Sequence, residues 1–378
     1  MPWKEVTVMQ EKQDFVLAAQ KKEETMTALC HAYGISRKAG YQILRRYEQA
    51  GIAGLVPQSR RPHRTPFKTP PEVERVIIET RQLHPHWGGD KLRRYLLSQG
   101  QPTMPTEKTI DRILKRHGLI TAEESEKHTP WKRFEHASPN DLWQMDFKGH
   151  FQVGASRCYP LTLLDDHSRF SLLIKACENQ QKDTVKTALT QLFREYGLPK
   201  RMSMDNGSPW GYSREQKYTQ LSAWLIRLGI KVSHSRPLHP QTQGKLERFH
   251  RTLKLELLNH YCFASLEESQ EGFDAWRTIY NEQRPHAAID LEVPATRYTK
   301  SKIPFPETYS PIEYDHSFTV RKVQKGGMIY LQGKIYRVGE AFCGEPVGLK
   351  ESDTPGLLDV YYCHQKVVKI DPKYPSKF

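Results

Sequence analysis

Three carboxylates stand where a chain could use them together. Asp146 follows Trp143-Gln144-Met145 in a stretch that alternates like a strand, so it shares a face with Gln144 and Lys148. Asp205 follows Arg201-Met202-Ser203-Met204 and runs into the turn signal Asn206-Gly207. That sets it at a strand's carboxyl end, where ligand sites of open α/β sheets gather. Glu247 lies in the first turn of a helix entered through Pro240-Gln241-Thr242-Gln243-Gly244. Acids brought together repel one another and would take up protons unless a cation compensates. A hard divalent ion with oxygen ligands meets that need. Paired Mg²⁺ ions, about 3.5 to 4 Å apart, clamp the attacking and leaving oxygens of an in-line displacement at phosphorus. The expected chemistry is on a phosphodiester.

The elements that must position these acids can be read from the pattern between Asp141 and about Lys300. Leu142 to Val153 reads as a first strand, with Leu161–Leu164 and Phe170–Ile174 as two more around the turn Asp165-Asp166-His167-Ser168-Arg169. Helix over Thr184–Tyr196, strand over Arg201–Met204, helix over Leu221–Leu228, strand over Ile230–His234 and helix over Lys245–Leu258 complete a mixed sheet flanked by helices. Within the last helix, Arg251 and Lys254 follow Glu247 at four and seven residues and so share its face. Glu256, nine residues on, is about 180° away and is the weaker candidate for the third acid. Asp165 and Asp166 read as turn chemistry, His239 and His250 as phosphate or packing contacts, and Trp143 and Trp210 as packing residues.

The flanking segments are of a different kind. Leu29, Ile35, Ile43 and Leu44 fit two helices broken at Tyr33-Gly34-Ile35, with Ser36 capping the second. Such a helix-turn-helix would place Arg37, Lys38, Arg45 and Arg46 in a major groove, the plainer alternative being a helical hairpin with a solvated basic face. A second unit follows, with helices over Glu72–Leu83 and Lys91–Leu96 and one capped by Thr106. The outer face of that last helix carries Lys108, Arg112, Lys115 and Arg116. The proline-punctuated linker between the units carries Arg60, Arg61 and Arg64. Period-two alternation from Phe318 to Val368 predicts a small antiparallel barrel, serving either the DNA backbone or packing.

Composition narrows the partners. The chain has 378 residues with 57 Lys plus Arg against 43 Asp plus Glu, a formal net charge of +14, which suits a polyanion. No apolar run approaches the roughly 20 residues of a membrane span, and the amino-terminal residues lack a secretory pattern, so no membrane partner and a cytoplasmic location are expected. The 6 cysteines form no C-x-x-C pair, which argues against a zinc ribbon or a disulfide framework.

The motifs Gln144-Met145-Asp146-Phe147, Met204-Asp205-Asn206-Gly207 and His239 to Glu247 resemble the Asp-Asp-Glu signature of retroviral-type integrases and of the bacterial insertion-sequence transposases that share their core. The resemblance implies a multidomain α/β protein: tandem helix-turn-helix domains, a ribonuclease-H-like mixed-sheet core and a carboxyl-terminal small β-barrel of SH3 type. Its expected boundaries are helix-turn-helix over 1–56, basic linker over 57–68, second helix-turn-helix over 69–121, linker over 122–137, core over 138–300, linker over 301–315 and barrel over 316–371. It further implies a DNA transposase that binds terminal inverted repeats, then cleaves and transfers strands in the bacterial nucleoid. Two Mg²⁺ ions would serve, with Mn²⁺ able to substitute; Asp146 would contact both and Asp205 and Glu247 one each. Gln243, Arg251 and Lys254 match positions that touch DNA, and joining two ends implies a homo-oligomer. One departure is the 42-residue separation of Asp205 and Glu247, against a usual spacing of about thirty-five; a longer loop costs little closure entropy. A non-enzymatic DNA-binding regulator with an inert core, and a nuclease that only hydrolyses, are the rival readings.

Overall fold

The computed structural model describes residues 7–57, 68–120, 135–205, 207–211, 217–234 and 244–376. The chain divides into two compact units, Met1–Lys68 and Thr69–Phe378. Arg60, Arg61, Arg64, His239 and Gln243 lie outside the described residues.

The first unit holds α1 (Val8–Lys21), α2 (Met26–Ala32) and α3 (Arg37–Ala50). Thr7, Thr25 and Ser36 cap the three helices, each hydroxyl accepting a hydrogen bond from the N–H three residues on. The expected break between α2 and α3 is present, with Gly34 at φ +62°. Helix α1 is an addition to the sequence reading; its Phe15 closes the small core over Leu29 and Cys30. Gly40 permits this closure, since a Cβ there would stand 2.6 Å from Cys30 Sγ. Arg37, Lys38, Arg45 and Arg46 are all exposed on α3.

The second unit opens with α4 (Pro71–Leu83), α5 (Gly89–Ser98) and α6 (Glu107–Arg116). Ile77, Trp87, Leu92, Ile110 and Leu114 form their shared core. The main sheet follows: β1 (Trp143–Phe147), β2 (Phe151–Val153), β3 (Ser156–Asp165), β4 (Ser171–Cys177), β5 (Arg201–Met204) and β6 (Lys231–His234). Its order is β2-β3-β1-β5-β6 with β4 on β3; β1 is antiparallel to β3 and parallel to β5. The single first strand expected over Leu142–Val153 is divided in two because Gly149 takes φ +90°, outside the strand region. Helices α7 (Lys182–Tyr196) and α8 (Gln220–Arg227) pack with Trp143, Met145 and Phe147 on one face. Helices α9 (Gly244–Leu253) and α10 (Leu266–Thr278) cover Leu164 and Ile174 on the other. This is the ribonuclease-H-like mixed sheet that the sequence predicts.

The closing segment holds β7 (Thr319–Lys322), β8 (Met328–Leu331), β9 (Lys334–Arg337), β10 (Pro346–Glu351), β11 (Leu358–Tyr362) and β12 (Gln365–Ile370). Among the described residues the strands pair as a four-stranded sheet, β12-β11-β10-β7, and a hairpin β8-β9, a pairing that does not confirm the closed barrel that alternation suggests. Gly326 and Gly327, both with positive φ, turn the chain sharply between β7 and β8 and end their pairing at one bridge, Gln324 to Met328. Val347, Leu349 and Val360 join the apolar cluster of Leu225 and Val232. Gln365 hydrogen-bonds both backbone groups of Val232, accepting from N at 2.8 Å and donating to O at 2.9 Å. Its amide thereby covers an edge of β6 that would otherwise present unpaired groups.

Candidate active site

The parallel register of β1 and β5 pairs Trp143 with Met202 and Gln144 with Ser203. Continued by two residues it sets Asp146 level with Asp205, on strands about 4.8 Å apart. Both acids share the face of Gln144, because side chains alternate. Phe147, on the opposite face, stacks on the buried Trp210 at 5.7 Å, so the loop after Asp205 is packed against the residue after Asp146. The Gly207 N–H donates to Asp205 Oδ1 at 3.0 Å and fixes that carboxylate at the mouth of the loop.

Helix α9 brings the third acid. Leu246, Phe249 and Leu253 are its buried face, which leaves Glu247 and Arg251 exposed with Lys254 beyond them. A π-helical turn, Lys254–Leu258, ends the regular pattern. His250 Nε2 lies 2.7 Å from Thr162 Oγ1, and that hydroxyl donates to Asp146 O at 2.9 Å. Lys245 Nζ lies 2.6 Å from Asp166 Oδ2. Glu256 is taken by Arg284 at 2.9 Å, both side chains being about one-tenth exposed, in keeping with its exclusion as the third acid.

The charges converge on Asp146. Burial, then the Asp205 carboxylate, raise its carboxyl to about 7; the Phe147 N–H bond opposes this and Glu247 adds to it. Among the described residues, however, no three His, Cys, Asp or Glu side chains are grouped closely enough to hold one ion between them. Asp146 and Asp205 are neighbours, and Glu247 stands in electrostatic reach at the exposed start of α9.

Family comparisons agree with this architecture. Residues 136–240 and 228–294 match two models described as integrase core domain. Residues 318–377 match the IS481 family transposase C-terminal domain, 11–63 a helix-turn-helix domain and 39–114 a homeodomain-like domain. The chain belongs to the insertion-sequence transposases with an integrase core. An uncharacterized 39.2 kDa protein of insertion element IS476 from Xanthomonas euvesicatoria is 26% identical over 302 residues, 76% of this chain and 82% of that protein. The transposase for insertion sequence element IS904 from Lactococcus lactis is 26% identical over 255 residues, 61% of this chain and 96% of that one. The HTLV-2 integrase catalytic core domain, solved in complex with magnesium, aligns with a TM-score of 0.33 at 18% identity over 43% of this chain and 97% of that one.

The basic residues of this transposase fall in three places. Arg37, Lys38, Arg45 and Arg46 line α3, and Lys108, Arg112, Lys115 and Arg116 are exposed along α6, where Arg116 also pairs with Glu74. Arg251 and Lys254 continue the Glu247 face and make no ion pair among the described residues. Lys148, which the sequence reading did not single out among the basic candidates, lies beside this face. Its ammonium is pushed below the usual lysine range by burial and by Lys254, so the two are close neighbours. Together with His150, Phe151, Pro160, Leu258 and Asn259 they line a cleft of about 190 Å³. The available signal was its position two residues after Asp146. Trp143 and Trp210 are buried packing residues, as expected. Asp165 does serve its turn, accepting from Ser168 N at 2.8 Å and Ser168 Oγ at 2.6 Å, whereas Asp166 reaches across to other elements.

Among the described residues no helix is long and apolar enough to cross a membrane.

Proposed function

We propose that this transposase cleaves the DNA at its element's ends and joins the freed 3′-hydroxyls to target DNA, with Asp146, Asp205 and Glu247 as the divalent-metal ligands. The observation that carries this reading is the parallel β1–β5 register that brings Asp146 level with Asp205, with the Asp146 carboxyl pushed up to about 7 by burial, by Asp205 and by Glu247. An all-oxygen set of three acids, one resisting ionisation through burial and then through its acidic neighbours, fits a hard dication in donor chemistry and in charge. Asp146 would bind two ions, with Asp205 and Glu247 binding one each, and Mn²⁺ could replace Mg²⁺. The bound ions supply Lewis acidity toward the phosphate oxygens and lower the pKa of a nucleophilic water or 3′-hydroxyl.

The protein's own groups do the rest. Lys148, Arg251, Lys254 and Gln243 hold the phosphates that flank the scissile bond, as ammonium, guanidinium and amide donors do on nucleic acid backbones. Helix α3 with Arg37, Lys38, Arg45 and Arg46 reads one part of the terminal repeat, and α6 with Lys108, Arg112, Lys115 and Arg116 a second. Arg60, Arg61 and Arg64 follow the backbone between them, and the two modules on one chain gain affinity through effective concentration. Coordinated joining of two ends calls for a homo-oligomer, at work on the bacterial nucleoid. Incubation of the full chain with labelled terminal DNA, target DNA and Mg²⁺ tests the reading: joined product is expected, while binding without cleavage would favour a regulator and cleavage without joining a nuclease.

A further inference from the structure

Asp166 is one of the most buried charged groups in the described chain, 2% exposed, and it lies in the β3–β4 turn rather than on any strand or helix of the site. Its carboxylate is shared between two elements. Oδ1 accepts from Gln144 Nε2 at 2.9 Å. Oδ2 meets Lys245 Nζ at 2.6 Å and accepts from His136 N at 3.0 Å. Lys245 Nζ also donates to the Asp166 backbone carbonyl at 3.3 Å. Gln144 precedes Asp146 by two residues on β1, and Lys245 precedes Glu247 by two residues on α9. One carboxylate thus ties together the residues that stand two places before each of two site acids.

The placement decides what such a tie can do. Residues two apart on a strand share a face, so Gln144 and Asp146 move together. Lys245 sits in the first turn of α9 beside Glu247, at the end of the helix that follows the stretch 235–243. Lower on the same helix, the contact of His250 with Thr162 makes a second link to β1, at the Asp146 carbonyl. Two links on one helix, one near its start and one six residues into it, fix its rotation as well as its distance from the strand. Because Glu247 is exposed and is not grouped with the other acids into a ready three-ligand cluster, this rotation governs how far its carboxylate must travel to meet an ion at Asp146.

We propose that Asp166, through Lys245 and Gln144, is a positioning residue that holds Glu247 and Asp146 in register for a shared divalent-metal site. The proposal rests on the function proposed above. Ion pairs and hydrogen bonds behind metal ligands set ligand orientation, and their loss characteristically weakens metal binding.

The test measures Mn²⁺ binding to the full chain on terminal-end DNA by the loss of the free-ion electron paramagnetic resonance signal, with DNA affinity and thermal midpoint followed in parallel. Lys245→Met and Asp166→Asn should each weaken Mn²⁺ binding by about tenfold, and the double variant should be no weaker than either alone, since both remove the same link. Lys245→Arg, which keeps a cation within reach of Asp166, should restore most of the affinity. Lys245 is partly exposed, with 19% of its side chain accessible, so Lys245→Met is expected to fold even if Asp166→Asn does not. Unchanged Mn²⁺ affinity in Lys245→Met, or a hundredfold loss in the double variant, would overturn the proposal. Asp146→Asn separates the two levels of inference. If Asp146→Asn abolishes Mn²⁺ binding while Lys245→Met leaves it intact, only the positioning role fails; if Asp146→Asn also binds normally, the metal-site reading fails with it.

Discussion

His250 on α9 and Thr162 on β3 are in direct contact, Nε2 to Oγ1 at 2.7 Å. The threonine has one hydroxyl proton and gives it to Asp146 O at 2.9 Å, so the histidine must donate from Nε2–H. Burial, with Lys148 nearby, lowers its pKa to about 3, which agrees with a neutral ring.

This has a consequence for stability against pH. The unfolded chain binds a proton at His250 once the pH falls below about 6.5, whereas the folded chain refuses it until about 3. The contribution is complete above pH 6.5 and is lost on acidification across that interval, at about 1.4 kcal/mol per pH unit. Denaturant unfolding of His250→Phe at pH 7.5 and pH 5 should show a shallower pH dependence than wild type by about that slope. Equal slopes in the two proteins would place the ring in solvent.

Much of this arrangement is legible in the sequence, because local signals govern it. Strand alternation places Asp146, the turn-forming residue types after Met204 place Asp205 at a strand end, and helical spacing keeps Arg251 and Lys254 on the face of Glu247. The links between distant segments are not written locally. Nothing near Lys245 or Asp166 announces their pairing, which joins residues 79 apart in the chain. Helix α1 was missed because its role is to cap a core supplied by α2 and α3. The division of the carboxyl-terminal strands into a sheet and a hairpin is not legible locally, because alternation specifies faces, while pairing between strands depends on how glycines such as Gly326 and Gly327 turn the chain.

Asp146 should trade stability for chemistry. Its carboxyl titrates near 7 in the folded chain and near 3.8 unfolded, so without metal the fold loses stability as pH rises from 3.8 to 7. Asp146→Asn is expected to stabilise the metal-free protein at pH 8 by about 1 to 2 kcal/mol, allowing for partial solvent screening, while abolishing activity. Urea denaturation in chelator checks this; a destabilised variant would count against crowded acids.

Metal binding should likewise depend on pH. Below pH 7 an ion must displace the Asp146 proton, so the Mg²⁺ concentration for half-maximal activity should rise up to about tenfold per pH unit between pH 7 and pH 6. A flat metal requirement across that range would mean Asp146 is already ionised.

The Glu256–Arg284 pair is largely buried, with Arg284 also 5.8 Å from the ring of Tyr280. Arg284→Met leaves the glutamate uncompensated and should cost about 3 kcal/mol in denaturant unfolding. Glu256→Gln should retain strand joining per folded molecule, which a metal-binding role for Glu256 would not allow.

Lys148→Ala, Arg251→Ala and Lys254→Ala should each weaken binding to terminal DNA and reduce the slope of log affinity against log salt by about one unit. Fluorescence anisotropy over a range of NaCl concentrations reads this directly. An unchanged slope would place that side chain away from the phosphates.

The most direct measurement is strand joining by Asp146→Asn, Asp205→Asn and Glu247→Gln, each assayed with labelled element ends and Mg²⁺ beside a parallel binding assay. Each variant should bind the ends as wild type does and yield no joined or cleaved product. Product at the wild-type level from any one of the three would show that its carboxylate is not part of the active site.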